Sequence, residues 1–219
     1  MKKIIIYTLI MCGFAFTACD VESTEGVSTV TNFAVVEALG DAIVLVEVGN
    51  TFVEPGVSAT ISGADVPFET LGTLDTNTPG IYDLTYQVIN EDGFAAQAFR
   101  TVFVYENNGT LAGVWDGKRI GRSGGPILVS STSDPSVFNC SDLTAGHYEF
   151  DRALGRAYAS PGQLAVTGSS IADTSADNAF GTWNLTSGAI SGDEKTMTWT
   201  ITIPAFSFGY DCELIKTTP

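Results

Sequence analysis

Between residues 196 and 203 the chain reads Thr-Met-Thr-Trp-Thr-Ile-Thr-Ile, with an apolar side chain at every odd position and threonine at every even one. A period of two sends successive side chains to opposite faces of an extended strand, so this segment requires a sheet with one buried and one wet face. The same alternation recurs at Tyr82, Leu84, Tyr86 and Val88, interleaved with Asp83, Thr85 and Gln87. Helical periodicity is weak elsewhere. Short runs rich in Val, Ile, Thr, Tyr and Phe are instead punctuated by Gly, Pro, Asn and Asp, the pattern of antiparallel sheets joined by tight turns. The expected fold class is all-β.

Two such blocks flank the polar segment Glu106-Asn107-Asn108-Gly109-Thr110, which reads as a linker at residues 106–110 between domains at 27–105 and 111–219. In the first block, residues 43–48 read as a strand that Glu54-Pro55-Gly56 follows as a turn, because proline cannot donate to a ladder. Asn90-Glu91-Asp92-Gly93 turns the 82–88 run into a hairpin with residues 94–105. In the second block, strands are expected at 114–120, 127–131, 146–150, 163–167, 180–185, 196–203 and 208–215. Tight turns between that many strands predict a barrel-like or sandwich domain.

Lys2 and Lys3 precede an apolar run at 4–16 and the small residues Thr17 and Ala18. This run is too short to span a bilayer and has the sections of a secretory signal at residues 1–18. The acidic, polar stretch that follows Cys19, Asp20-Val21-Glu22-Ser23-Thr24-Glu25-Gly26, reads as a tether at 19–26. The whole chain carries a net charge of −15, which repels phosphate backbones and excludes nucleic acid as a partner. A single histidine, His147, removes most hydrolase and zinc templates. No motif indicates a metal or other cofactor, and residues 121–126 lack the Gly-Lys-Ser/Thr ending of a phosphate loop. Residues 173–178 lack the spacing and glycine of a calcium loop and are expected to be a plain loop.

Several segments carry resemblances. Phe16-Thr17-Ala18-Cys19 resembles the lipobox of bacterial lipoproteins, which implies cleavage before Cys19 and acylation of its thiol; the alternative is an ordinary signal peptide with an incidental cysteine. The acidic residues after Cys19 resemble the surface-export signal of Bacteroidota-type lipoproteins, which implies the outer face of the outer membrane. Val46-Glu47-Val48-Gly49-Asn50-Thr51-Phe52-Val53-Glu54-Pro55-Gly56 and Asp75-Thr76-Asn77-Thr78-Pro79-Gly80-Ile81-Tyr82-Asp83-Leu84-Thr85-Tyr86 resemble the bacterial Ig-like domain related to hyalin repeats. That resemblance implies an N-terminal sandwich used as a spacer or adhesion module, with no catalytic site. Ser141-Asp142-Leu143, Gly146-His147-Tyr148, Gly155 and Tyr158, followed by a Trp-containing strand and a final apolar strand, resemble the C-terminal domain of Bacteroidota surface lipoproteins encoded with polysaccharide-utilisation systems. The function this implies is non-catalytic glycan binding or an accessory role in polysaccharide uptake. Docking onto an outer-membrane transporter or another lipoprotein is the alternative, and a carboxylate-based glycosidase is the third.

Sugars stack their apolar faces on aromatic rings, so the aromatic residues of the second domain are the ligand candidates. Trp199 and Trp115 are expected in the core. Trp183, following the polar stretch 173–179, is placed near a strand mouth and is a candidate for ligand contact together with Tyr148 and Tyr158. Phe206, Phe208, Tyr210, Cys212 and Leu214 share one face if extended and are expected to be core. His147 is expected on a strand, exposed or half-buried. Lys118, Arg119 and Arg122 form a small basic patch. Cys140 and Cys212 either form a disulfide closing a loop of about 70 residues, worth about 4 kcal/mol in the chain-entropy account, or are buried as small hydrophobes.

Overall fold

The computed structural model describes residues 30–218. The expected signal peptide, Cys19 and the acidic tether lie outside the described residues. The first module is a sandwich of two sheets. One holds β1 (Ala34–Ala38), β3 (Val57–Ile61) and β4 (Ala64–Asp65) in the order β1-β3-β4. The other holds β2 (Ile43–Glu47), β5 (Glu69–Leu71), β6 (Gly80–Ile89) and β7 (Ala95–Tyr105) in the order β2-β7-β6-β5. The 82–88 alternation lies within β6, which pairs antiparallel with β7 in the expected hairpin, while β2 joins the other edge of β7 in parallel. Val46, Leu84, Tyr86, Val102 and Val104 fill the space between the sheets.

The lone basic residue of this module, Arg100, is 1% exposed. Its Nη2 lies 2.9 Å from Oε1 of Glu54 and donates to the carbonyl of Leu39 at 2.7 Å. The Tyr86 hydroxyl donates to the other oxygen of Glu54. A buried guanidinium is tolerated only when its charge is answered in this way, and here Nε alone of its donors lacks a partner among the described residues.

The second module closes on itself. Strands β8 (Gly113–Arg119), β9 (Gly124–Ser131), β10 (Val137–Cys140), β11 (Gly162–Thr167), β12 (Ser170–Ile171), β13 (Thr174–Asn178), β14 (Gly181–Ile190), β15 (Thr196–Ile203) and β16 (Phe208–Lys216) run in the order β12-β11-β10-β9-β8-β16-β15-β14-β13. Pairing of β12 with β14, through Ser170 with Ala189 and Ile171 with Gly188, shuts an eight-stranded antiparallel barrel and leaves β13 attached to β14. Closure removes the open edges that a flat sheet of this length would leave. Small barrels are filled by their own side chains, and here Trp115, Trp183 and Trp199, with Leu143, Leu164 and Met197, occupy the interior. The alternating segment 196–203 is β15 with its odd residues buried, as its pattern requires.

Three local expectations are corrected. The segment expected as a strand at 146–150 is a tight turn followed by a single π-helical turn at His147–Asp151, because Ala145 and Gly146 both take positive φ, 55° and 73°. The stretch 173–178 is not a loop; Thr174–Asn178 pairs with β14. The run from Phe206 to Leu214 is not a single extended face. A 3-10 turn at Pro204–Phe206 and a φ of 49° at Ser207 break it, so only Tyr210, Cys212 and Leu214 are buried.

A third apolar cluster joins the modules. Phe103 of β7 is fully buried against Val114 and Leu128, which point out of the barrel wall, with Ile43, Ile81, Tyr105 and Phe150 around them. The Glu106 carboxylate accepts the Ser131 amide at 2.7 Å, and Arg156 pairs with Asp83 at 3.2 Å. The sandwich therefore lies along β8 and β9 of the barrel.

Candidate functional site

Between β10 and β11 the chain makes a long excursion, residues 141–161, over one end of the barrel. Its shape is set by Asp142, whose side chain is fully buried. Oδ1 accepts the Thr144 amide at 2.8 Å, the Thr144 hydroxyl at 2.7 Å and the Ser160 amide at 2.9 Å, while Oδ2 accepts the Gly146 amide at 2.9 Å. One carboxylate thus gathers both ends of the excursion. Burial pushes the Asp142 carboxyl above the usual range against the pull of these donors. The Phe150 ring lies on Gly125, where a β-carbon would sit 2.4 Å from it, so only glycine lets this cap settle on β9.

The cap completes an aromatic cluster at the mouth formed by the 120–123, 179–180 and 204–207 turns. Ring centroids lie 4.9 Å apart for Tyr148 and Phe180, 5.1 Å for Tyr158 and Phe180, 5.4 Å for Tyr148 and Trp183, and 5.8 Å for Phe208 and Tyr210. Phe180 and Phe208 remain 37% and 38% exposed, and Phe206 reaches 65%. Tyr148 and Tyr158 are half-buried. Arg119 sits over two of the rings, its guanidinium carbon 4.8 Å from the Tyr210 centroid and 5.3 Å from that of Phe208.

The expected ligand residues Tyr148 and Tyr158 are brought together here, through Phe180. Trp183 is not a platform: it is 1% exposed, alternates inward with Leu185, and donates its indole N–H to Asn178 Oδ1 at 3.0 Å. It supports Tyr148 from below. The partly exposed rings of the cluster, Phe180 and Phe208, were legible only as members of apolar runs. Turns at 179–180 and 204–207 lift them out of the core. Trp115 and Trp199 are buried as expected, with indole N–H groups donated to the carbonyls of Leu111 and Leu143. Cys140 and Cys212 are both buried free thiols, the Cys140 thiol pushed up to about 12 by burial.

His147 is 2% exposed, neither surface nor half-buried, and packs between Tyr148 and Tyr210. Its Nδ1 lies 2.9 Å from Oδ2 of Asp151, whose Oδ1 accepts the Ser123 hydroxyl at 2.7 Å. These are the residue types of a hydrolytic triad in an order that cannot serve one, because the serine bonds the carboxylate rather than the imidazole. Glu149 is held by Arg156 at 3.2 Å. Among the described residues, no group of three or more His, Cys, Asp or Glu side chains is placed to hold a metal ion. A hollow of about 520 Å³ lies at the opposite barrel end, lined by Thr110, Asp193, Glu194, Lys195 and Lys216, and has no aromatic wall.

Comparison with known proteins gives both modules relatives. Residues 36–104 match the family model of the bacterial surface protein Ig-like domain. Residues 103–216, more than half of the chain, match a second family model described as a C-terminal domain. The crystal structure of the lipoprotein BT2262 from Bacteroides thetaiotaomicron is similar at 28% identity and a TM-score of 0.69, covering 84% of this chain and 100% of that one. No curated protein matches the chain.

Proposed function

The chain belongs to the family defined by that C-terminal domain, and on this premise we propose that it is a non-catalytic surface lipoprotein whose Ig-like module holds an aromatic barrel mouth toward extracellular glycan. Cys19 is the anchor in this reading, acylated and seated in the outer membrane, since each buried methylene of an acyl chain contributes about 0.8 kcal/mol. The observation that carries the proposal is the mouth itself. Phe180 and Phe208 keep more than a third of their surface exposed, Tyr148 and Tyr158 add half-buried rings with hydroxyls, and Trp183 and Tyr210 stiffen the set from beneath. Apolar sugar faces stack on such rings while the hydroxyls find polar edges. Three carboxylates near this mouth are engaged: Asp142 by four donors, Glu149 by Arg156 and Asp151 by Ser123.

A second reading, docking onto a transporter component or another lipoprotein, draws on the Ig-like module. There the Phe33 and Phe94 rings meet at a tilt with centroids 5.4 Å apart while 63% and 52% exposed.

Affinity electrophoresis of the chain from residue 20 onward, through gels containing a panel of polysaccharides, tests the proposal. Retardation by at least one polymer is expected. At about 1 kcal/mol per stacked ring, the double variant Phe180→Ala, Phe208→Ala loses about thirtyfold in affinity. A protein that migrates unretarded on every polymer, yet co-purifies with an outer-membrane partner from detergent extracts, follows the second reading and overturns the first.

A further inference from the structure

Three arginines, Arg119, Arg122 and Arg152, gather at the mouth of a chain that is acidic overall, alongside the carboxylate of Asp151. Arg119 pairs in register with Cys212 of β16, a buried inward-facing residue, so its side chain enters the mouth rather than the outer wall. There it is half-buried with its guanidinium carbon over the Tyr210 and Phe208 rings, and among the described residues it has no carboxylate in ion-pair contact. Lys118, its neighbour on the other face of β8, is paired with Glu213 at 2.6 Å, and Arg100 and Arg156 also hold carboxylates. In a chain with 25 acidic residues and 10 basic ones, a half-desolvated guanidinium without a counter-charge is conspicuous. Arg122, in the β8–β9 turn, and Arg152, at the end of the π-helical turn, are exposed at the same end of the barrel and likewise unpaired among the described residues.

From this juxtaposition we propose that the mouth recognises an anionic sugar, a uronate or a sulfate ester, with the acid group on Arg119 and the ring on Phe180 or Phe208. A guanidinium held by cation–π contact leaves N–H donors unspent, and its planar fork matches a carboxylate or sulfate with two parallel hydrogen bonds. Arg122 and Arg152 add positive potential where the ligand approaches. The proposal rests on the glycan-binding reading and narrows it to one charge class.

Titration of the chain from residue 20 onward with polygalacturonate, its methyl ester, dextran sulfate and neutral dextran tests it. The pairs share backbones and differ in charge, and the first and third separate carboxylate from sulfate recognition. Binding of one anionic polymer at least tenfold tighter than its neutral counterpart is expected, weakening as salt rises. General attraction of polyanions is opposed by the acidity of the whole chain, which is greater still from residue 20 onward, without Lys2 and Lys3. Arg119→Gln loses tenfold or more, and Arg119→Lys recovers only part, since an ammonium lacks the planar fork. If Arg119→Gln fails to fold, the surface double variant Arg122→Gln, Arg152→Gln serves, with a smaller loss expected. Equal binding of charged and neutral polymers overturns the anionic proposal and leaves the glycan reading intact. Binding of no polymer in either this titration or the wider panel overturns both.

Discussion

His147 is held between two tyrosine rings at 4.8 and 5.2 Å, where protonation is costly. Burial lowers its pKa from 6.5; Asp151 opposes that shift, and the positive charges of Arg119 and Arg152 reinforce it. The unfolded chain takes up this proton near the ordinary value and the folded one resists until lower pH. Stability contributed at His147 is therefore complete above about pH 6.5 and is lost as pH falls toward the lowered folded value. Glu149 and Asp142, both pushed up mainly by burial, act with the opposite sign in acid. Thermal melts of the native protein and His147→Gln between pH 7.5 and 5 share those carboxylates, so their difference isolates the imidazole. The native protein is expected to lose more melting temperature on acidification than the variant, and parallel curves would contradict the assignment.

The capping excursion at 141–161 depends on a flat place on the barrel. Gly124 meets the backbone of Gly117 and Gly125 meets the Phe150 ring, so β8 and β9 present bare backbone where the cap lands. Gly125→Ala forces the ring away, and overpacking of this kind costs about 1–3 kcal/mol. Chemical denaturation should show that loss. Because Tyr148 and Tyr158 ride on the same cap, ligand retention should fall with it. A variant that keeps full stability would show that the cap does not depend on this contact. The excursion was hard to foresee from sequence because its direction is set by Asp142, whose partners include an amide eighteen residues away at Ser160, and no local pattern announces such a bond. The strand periods of β6 and β15, by contrast, were legible residue by residue, since alternation is a property of neighbours alone.

Across the whole molecule, two cores meet through a third. The sandwich and the barrel each bury their own cluster, and Phe103, Val114 and Leu128 couple them. Leu128 is 6% exposed and faces out of the barrel, so Leu128→Asp places a charge in this seam without touching either core. A buried unpaired carboxylate costs several kcal/mol, which opens the interface instead. Scanning calorimetry should then resolve two transitions in the variant against a single one expected for the native protein. A single undivided transition in the variant would mean that the modules are coupled by other contacts, such as the Arg156 pair with Asp83.

The chain's own order determined a sheet-built protein, an acidic one, with Trp199 and Trp115 turned inward, because period, charge and composition are carried by adjacent residues. Closure of the barrel through β12 and β14, the burial of Trp183, and the gathering of Phe180, Phe208, Tyr148, Tyr158 and Arg119 at one mouth were decided only in three dimensions. The physical reason is range. An alternating strand selects its buried face locally, whereas a mouth is made by turns from distant parts of the chain, and which rings stay open depends on where the last strand closes.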